Sequence, residues 1–250
     1  MSKIYLALEH AQRYNLPTSD IVKLDPPNRD TGLESTEKFN RSRLVSEREL
    51  LSLSKAVTQY LNESKQSTVL FVGPYGGEGC STLVREFILN EIRRTNSSIL
   101  LVNVDSTEFS QRDSYDLSSS SKSLDDIQNL TNISQAINKT SEPKLSVAFF
   151  NKAVRDDSVI TNKLNSLFAI AKQSHDLIVV DLPPALVQED AIYSFANKNG
   201  FIIVVEAEKT QYDEIDLMRS MIEGGGGIVL GVILNKTNEY LPKFIQKILS

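Results

Sequence analysis

The sequence predicts one α/β domain, a doubly wound, mostly parallel sheet with helices on both faces. Three observations predict it. Six apolar runs of strand length recur between residues 68 and 235. They are nearly continuous in Val, Ile and Leu, as strands buried on both faces must be. Segments with helical spacing separate them, and an alternating strand–helix order is what a parallel sheet with crossover connections requires. The first run leads into "GPYGGEGCST", Gly73 to Thr82, a glycine-rich turn that opens a helix. A length of 250 residues, with 40% hydrophobic and 24% charged side chains, suits a globular domain with attachments.

Taken in order, residues 3–13 place Ile4, Leu8 and Ala11 on one helical face. Pro17 and "DPPNRDTG" then mark an irregular linker from about 15 to 42. Residues 1–44 are therefore expected as an N-terminal helix and flexible linker, and 45–250 as the domain. Ser46 and Glu49 form an S-x-x-E capping box, so a helix should begin there, with Leu50, Leu53, Val57 and Tyr60 as its buried stripe. The strands are "TVLFVG", "SILLVNVD", "LSVAFF", "DLIVVD", "GFIIVVEA" and "IVLGVILN". Helices follow the glycine turn and are expected at 157–173, about 188–197, and 211–222. Residues 106–123 read as a long polar loop, and the glycines at 224–227 as a helix stop before the last strand.

Composition excludes several functions. A net charge of −5 leaves no bulk basic footprint for nucleic acid. One cysteine, Cys80, excludes an internal disulfide and a Cys-based metal cluster. His10 and His175 have no ligand constellation around them. The apolar runs fall well short of the roughly 20 residues of a membrane helix, and "MSKIYLALEHAQ" has no signal-peptide core. A cytoplasmic protein is expected, one that is able to sit on a membrane partner.

The chemistry should lie at the glycine turn and the strand ends. Glycines let backbone N–H groups turn around phosphate oxygens, and the helix start adds its dipole. Gly76, Gly77, Glu78, Gly79, Cys80, Ser81 and Thr82 are the candidate phosphate contacts, and the Ser81 hydroxyl is a candidate Mg²⁺ ligand. The lysine expected before the Ser-Thr pair is Cys80, which has no positive charge to balance phosphoryl transfer. Tyr75 occupies the place of a second lysine known from a related loop class. Arg85, one turn into the helix, is a candidate replacement cation. Doubly wound folds bind ligands at strand carboxyl ends, and two of these ends carry acids. Asp105 closes "LLVNVD", two residues after Asn103, and Asp181 closes "DLIVVD". Both carboxylates could hold Mg²⁺, whereas an amide at 103 cannot take a proton from a hydroxyl. Asn235, ending the last strand, is a candidate contact to a nucleotide base.

These motifs resemble the bacterial tyrosine kinases of capsule and exopolysaccharide synthesis, a group within the deviant-Walker-A P-loop proteins that includes the MinD/ParA ATPases. The resemblance covers nearly the whole chain. "GGEGCST" is similar to the family's P-G-E-G-K-S-T, "LLVNVDST" to its D-x-D motif, and "HDLIVVDLPP" to its third motif. The resemblance implies that Asp105 and Asp181 support Mg²⁺ with ATP or ADP, and that position 103 is the base for an acceptor tyrosine. Here that position is Asn103, the following arginine is Thr107, and the oligomerising E-x-x-R-x-x-R becomes Glu49, Ser52 and Lys55. The family's C-terminal tyrosine cluster shrinks to Tyr240. The expectation is a degenerate member with weak nucleotide binding, monomeric or a small oligomer. It would be peripheral to the inner membrane through the cytosolic segment of a membrane polysaccharide co-polymerase or export protein. An active tyrosine autokinase and a MinD/ParA-like positioning ATPase are the alternatives.

Overall fold

The structure, a computed structural model, describes residues 21–23, 47–104, 115, 117, 120–150, 157–197 and 199–236. The proposed helix at 3–13, Ser46, Asp105, Thr107 and Tyr240 lie outside them. Among the described residues the sheet has eight strands: β1 (Ile21–Lys23), β2 (Thr68–Val72), β3 (Ile99–Asn103), β4 (Asn138–Lys139), β5 (Leu145–Phe149), β6 (Leu177–Asp181), β7 (Gly200–Glu206) and β8 (Ile228–Asn235). The helices are α1 (Glu47–Ser64), α2 (Cys80–Thr95), α3 (Asp157–Ala171), α4 (Glu189–Ala196) and α5 (Tyr212–Gly224).

The spatial order is β1-β8-β7-β2-β6-β3-β5-β4. All pairs are parallel except β4 with β5. The chain runs outward from central β2 first to one side and then to the other, so the order reverses beside β2, where doubly wound folds open a crevice.

Alternation along each strand feeds two apolar layers. Val69 and Phe71, Ile99 and Leu101, and Val179 face α1 and α2, against Leu50, Leu53, Val57, Val84, Phe87 and Ile88. Leu70 and Val72, Leu100 and Val102, and Val180 face the opposite layer. There Leu164 and Leu167 of α3, Ile192 and Phe195 of α4, and Met218 and Ile222 of α5 close over them. The predicted stripe of α1 is buried as expected, Tyr60 included. Between α1 and α2 the buried Ser54 hydroxyl donates to Glu91, which also accepts from Arg94 at 3.1 Å.

Two strands were not expected. Ile21–Lys23 lies in the stretch read as irregular linker, yet it pairs in parallel with Val232–Leu234 at the sheet edge. Three residues are too few for a periodic signal. The second is Asn138–Lys139, preceded by a 3₁₀ turn at Leu130–Ala136. Its anchor is one buried amide. Asn138 Nδ2 donates to the carbonyls of Lys122, Ala136 and Val147, and its Oδ1 accepts from Lys122 N–H at 3.0 Å. The glycine run behaves as expected, with α5 ending at Gly224 and β8 starting at Ile228.

Candidate functional site: the glycine loop and the ends of β3, β6 and β8

β2 delivers the chain into the loop, and α2 begins at Cys80. Gly76, Gly77 and Gly79 hold φ of +95°, +90° and +89°, a region that side chains oppose. At Gly79 a Cβ would also collide with the Asn235 side-chain amide. The first turn of α2 leaves its backbone N–H groups directed back at the loop, without acceptors inside the helix. Ser81 and Thr82 sit in that turn, half-buried.

Glu78, expected to face a ligand, turns inward and is 2% exposed. Its carboxylate accepts the N–H of Tyr75 at 3.0 Å and of Gly76 at 2.9 Å. Asn235, expected at a nucleotide base, instead donates its amide to the Glu78 carbonyl at 2.7 Å, and its Oδ1 accepts from the N–H of Lys236. Both residues therefore bind the loop itself in this structure. A residue that sequence reasoning passed over completes the clasp. Lys236 Nζ donates to the Gly77 carbonyl at 2.6 Å and reaches Glu206 Oε2, at the end of β7, at 3.2 Å. Its only signal was its place directly after Asn235 in "VILNK". Burial would raise the Glu206 pKa, but the hydrogen bonds and charges of Lys209 and Lys236 outweigh it and hold the carboxyl below its usual range.

The other flank comes from strand register. Parallel pairing sets Asn103 opposite Asp181, with Phe71 on the far side. Both polar side chains are buried, at 2% and 3% exposure. Asn103 Nδ2 donates to Asp181 Oδ2 at 3.3 Å, and the Cys80 thiol donates to Asp181 Oδ1 at 3.6 Å. The structure thus joins three predicted site residues, from the loop, β3 and β6, around one carboxylate. Asn103 Oδ1 is buried with no hydrogen-bond partner. An unmet buried acceptor is costly, and beside a carboxylate it forms an oxygen edge suited to a hydrated divalent cation.

Arg85, the candidate replacement cation, is engaged with an aromatic ring in this structure. Its guanidinium carbon stands 5.4 Å from the Tyr115 ring centroid, in a cation–π contact. Tyr75 is 51% exposed, and its hydroxyl donates to Glu214 Oε1 at 2.7 Å across the loop mouth. Glu214 also accepts from Gln211 N–H in the capping box of α5. The Gln211 and Tyr75 bonds hold the Glu214 pKa low, and the bond to Glu214 pushes the Tyr75 pKa up. Lys55, expected from the resemblance to replace an oligomerising arginine, lines a separate groove of about 430 Å³ with Gln59, Glu63 and Arg94, at the far end of α2 from the loop. Among the described residues no group of three or more His, Cys, Asp or Glu could hold a metal, and no helix is long and apolar enough to cross a membrane.

A parallel sheet with a glycine loop between its central strand and a helix defines a P-loop protein. Solved structures agree. The kinase domain of Escherichia coli tyrosine kinase ETK superposes with a TM-score of 0.71 at 14% identity, covering 92% of this chain and 93% of that one. The septum site-determining protein MinD of Pyrococcus horikoshii, complexed with Mg-ADP, gives 0.54 at 19% identity, over 72% and 76%. At such identities the likeness speaks for the fold. No family model matches the chain. In sequence it is 26% identical to tyrosine-protein kinase CpsD of Streptococcus agalactiae over 177 residues, 67% of this chain and 74% of that protein. In sequence the chain is thus similar to bacterial tyrosine kinases of the CpsD and CapB kind, and in fold to a kinase domain and to MinD.

Proposed function

We propose that this protein is a degenerate tyrosine-kinase-like P-loop protein, retaining the phosphate-binding frame without the side chains of phosphoryl transfer. It acts as a regulatory or scaffold partner in capsule or exopolysaccharide assembly. The observation that carries this reading is the use made of Asp181. The residue at the lysine position, Cys80, and the residue at the base position, Asn103, both donate to this carboxylate. Neither supplies a cation to phosphate nor accepts a proton from tyrosine.

ATP or ADP with Mg²⁺ would be held weakly, by the loop backbone from Gly76 to Thr82, with Ser81, Asp181 and Asp105 toward the metal. Bound nucleotide and metal would supply a transferable phosphoryl group and charge neutralisation. A missing transition-state charge contact costs about 3 kcal/mol, some hundredfold in rate. A missing general base adds a factor of ~10²–10⁴. The partner expected from the family is the cytosolic segment of a membrane polysaccharide co-polymerase or export protein, which would place this chain in the cytoplasm at the inner membrane. Ser52 and Lys55 stand where the family's oligomerising arginines would be, which favours a monomer or small oligomer.

The test is phosphotyrosine formed on an exogenous peptide with ATP–Mg²⁺, by wild type, Cys80→Lys, Asn103→Asp and the double variant. Signal is expected only from the double variant. Robust signal from wild type would overturn the degenerate reading in favour of an active autokinase. Nucleotide-dependent dimerisation in light scattering would favour a positioning ATPase.

A further inference from the structure

We propose that Lys236 is the phosphate cation of this site, delivered from the end of β8 to the polyphosphate of a nucleotide in place of a loop lysine. The inference rests on the nucleotide-binding reading above and assigns its missing charge to a residue. Lys236 leaves β8 with φ +56°, a conformation that non-glycine residues seldom adopt. Asn235 maintains it by accepting the Lys236 N–H on Oδ1 while its amide holds the Glu78 carbonyl. The turn aims the side chain across the loop, where Nζ meets the Gly77 carbonyl at 2.6 Å. Glu206, tied to both Lys209 and Lys236, holds the ammonium at that mouth. At 46% exposure the lysine side chain retains room to turn.

Two other cations among the described residues are held differently. Arg85 lies over Tyr115, and Lys209, on a 64% exposed side chain, shares Glu206 with Lys236. Opposite Lys236, at the start of α2, stand the Asp181 carboxylate and the unpartnered, buried Asn103 Oδ1. A cation on one flank, and on the other a carboxylate beside one unpartnered acceptor, match a polyphosphate carrying a hydrated divalent ion. On binding, a phosphate oxygen replaces the Gly77 carbonyl as acceptor for Nζ, and a charged acceptor makes the stronger bond.

The test is calorimetry at fixed ionic strength with ATP–Mg²⁺, ADP–Mg²⁺ and AMP. The proteins are wild type, Lys236→Met, Lys236→Arg, Cys80→Lys and Lys236→Met/Cys80→Lys, with thermal melts confirming the fold of each. Lys236→Met should weaken ATP and ADP at least about tenfold and AMP little. Lys236→Arg should retain most of the affinity, and Cys80→Lys should recover what Lys236→Met loses. Unchanged ATP affinity in Lys236→Met overturns the proposal and leaves nucleotide binding intact. An equal loss for all three nucleotides, without recovery by Cys80→Lys, makes Lys236 a loop brace and overturns it too. Absence of any nucleotide binding by wild type removes the underlying reading, and the proposal with it.

Discussion

The two flanks of the site are built by different means. On the loop flank the candidate recognition elements are backbone N–H groups, set by three positive-φ glycines and braced by Glu78, Asn235 and Lys236. On the strand-end flank everything depends on side chains, Cys80, Asn103 and Asp181, and one acceptor is left bare. A backbone donor is indifferent to the side chain on its own residue, so Cys80 and Tyr75 leave the cradle intact. At the strand ends a change of one atom type, carboxylate to amide at 103, removes a proton acceptor altogether.

The contrast can be broken most severely at Gly79. Gly79→Ala forces a Cβ into left-handed backbone and against Asn235, so urea denaturation should show a loss of about 2–4 kcal/mol. A loss near zero would mean that the loop flank is not rigid. Asn103→Asp is the corresponding test of the other flank. It sets a second carboxylate beside buried Asp181 and should cost roughly 2 kcal/mol in EDTA. Added Mg²⁺ should restore much of that loss, whereas no response to Mg²⁺ would deny the flank a cation site. Asn235→Ala leaves the Glu78 carbonyl without its side-chain partner and should cost about 1 kcal/mol. Because it also clears the space that Gly79→Ala invades, the double variant should be less destabilised than the sum of the two, and strict additivity would refute that contact.

The smallest effect is the Tyr75–Glu214 bridge. Glu214 has a lowered pKa, so its contribution is complete above its ordinary value of 4.5 and fades as pH falls through the lowered folded value. Tyr75 has a raised pKa, so its contribution is complete below 10.0 and is lost as pH rises through the raised value. Stability measured against pH should show both limbs in wild type, and Tyr75→Phe should shrink both. An unchanged profile in that variant would show the bridge to be inert.

Sequence reasoning reached the six long strands and their intervening helices, and it set the candidate site at the strands' carboxyl ends. Continuous Val/Ile/Leu runs and the glycine turn are local signals of non-local order. Phe71 and Asp181, one hundred and ten residues apart in order of the chain, become neighbours through that order alone. Ile21–Lys23 and Asn138–Lys139 escaped because they are fixed by pairing and, for Asn138, by one buried amide. Within the site, residue types were legible but directions were not. Nothing in "GGEG" shows that Glu78 turns under its own loop, and Lys236 acquires meaning only when β8 lies beside it.

Glu78 has a thermodynamic consequence. By filling two loop donors with its own carboxylate it keeps the loop ordered before any ligand arrives. A glycine-rich segment otherwise carries a large conformational entropy, which binding would have to remove. Here that ordering belongs to folding. On the nucleotide-binding reading, a loop short of lysine would meet phosphate without a disorder-to-order step, and a weak affinity would reflect missing charge rather than missing shape.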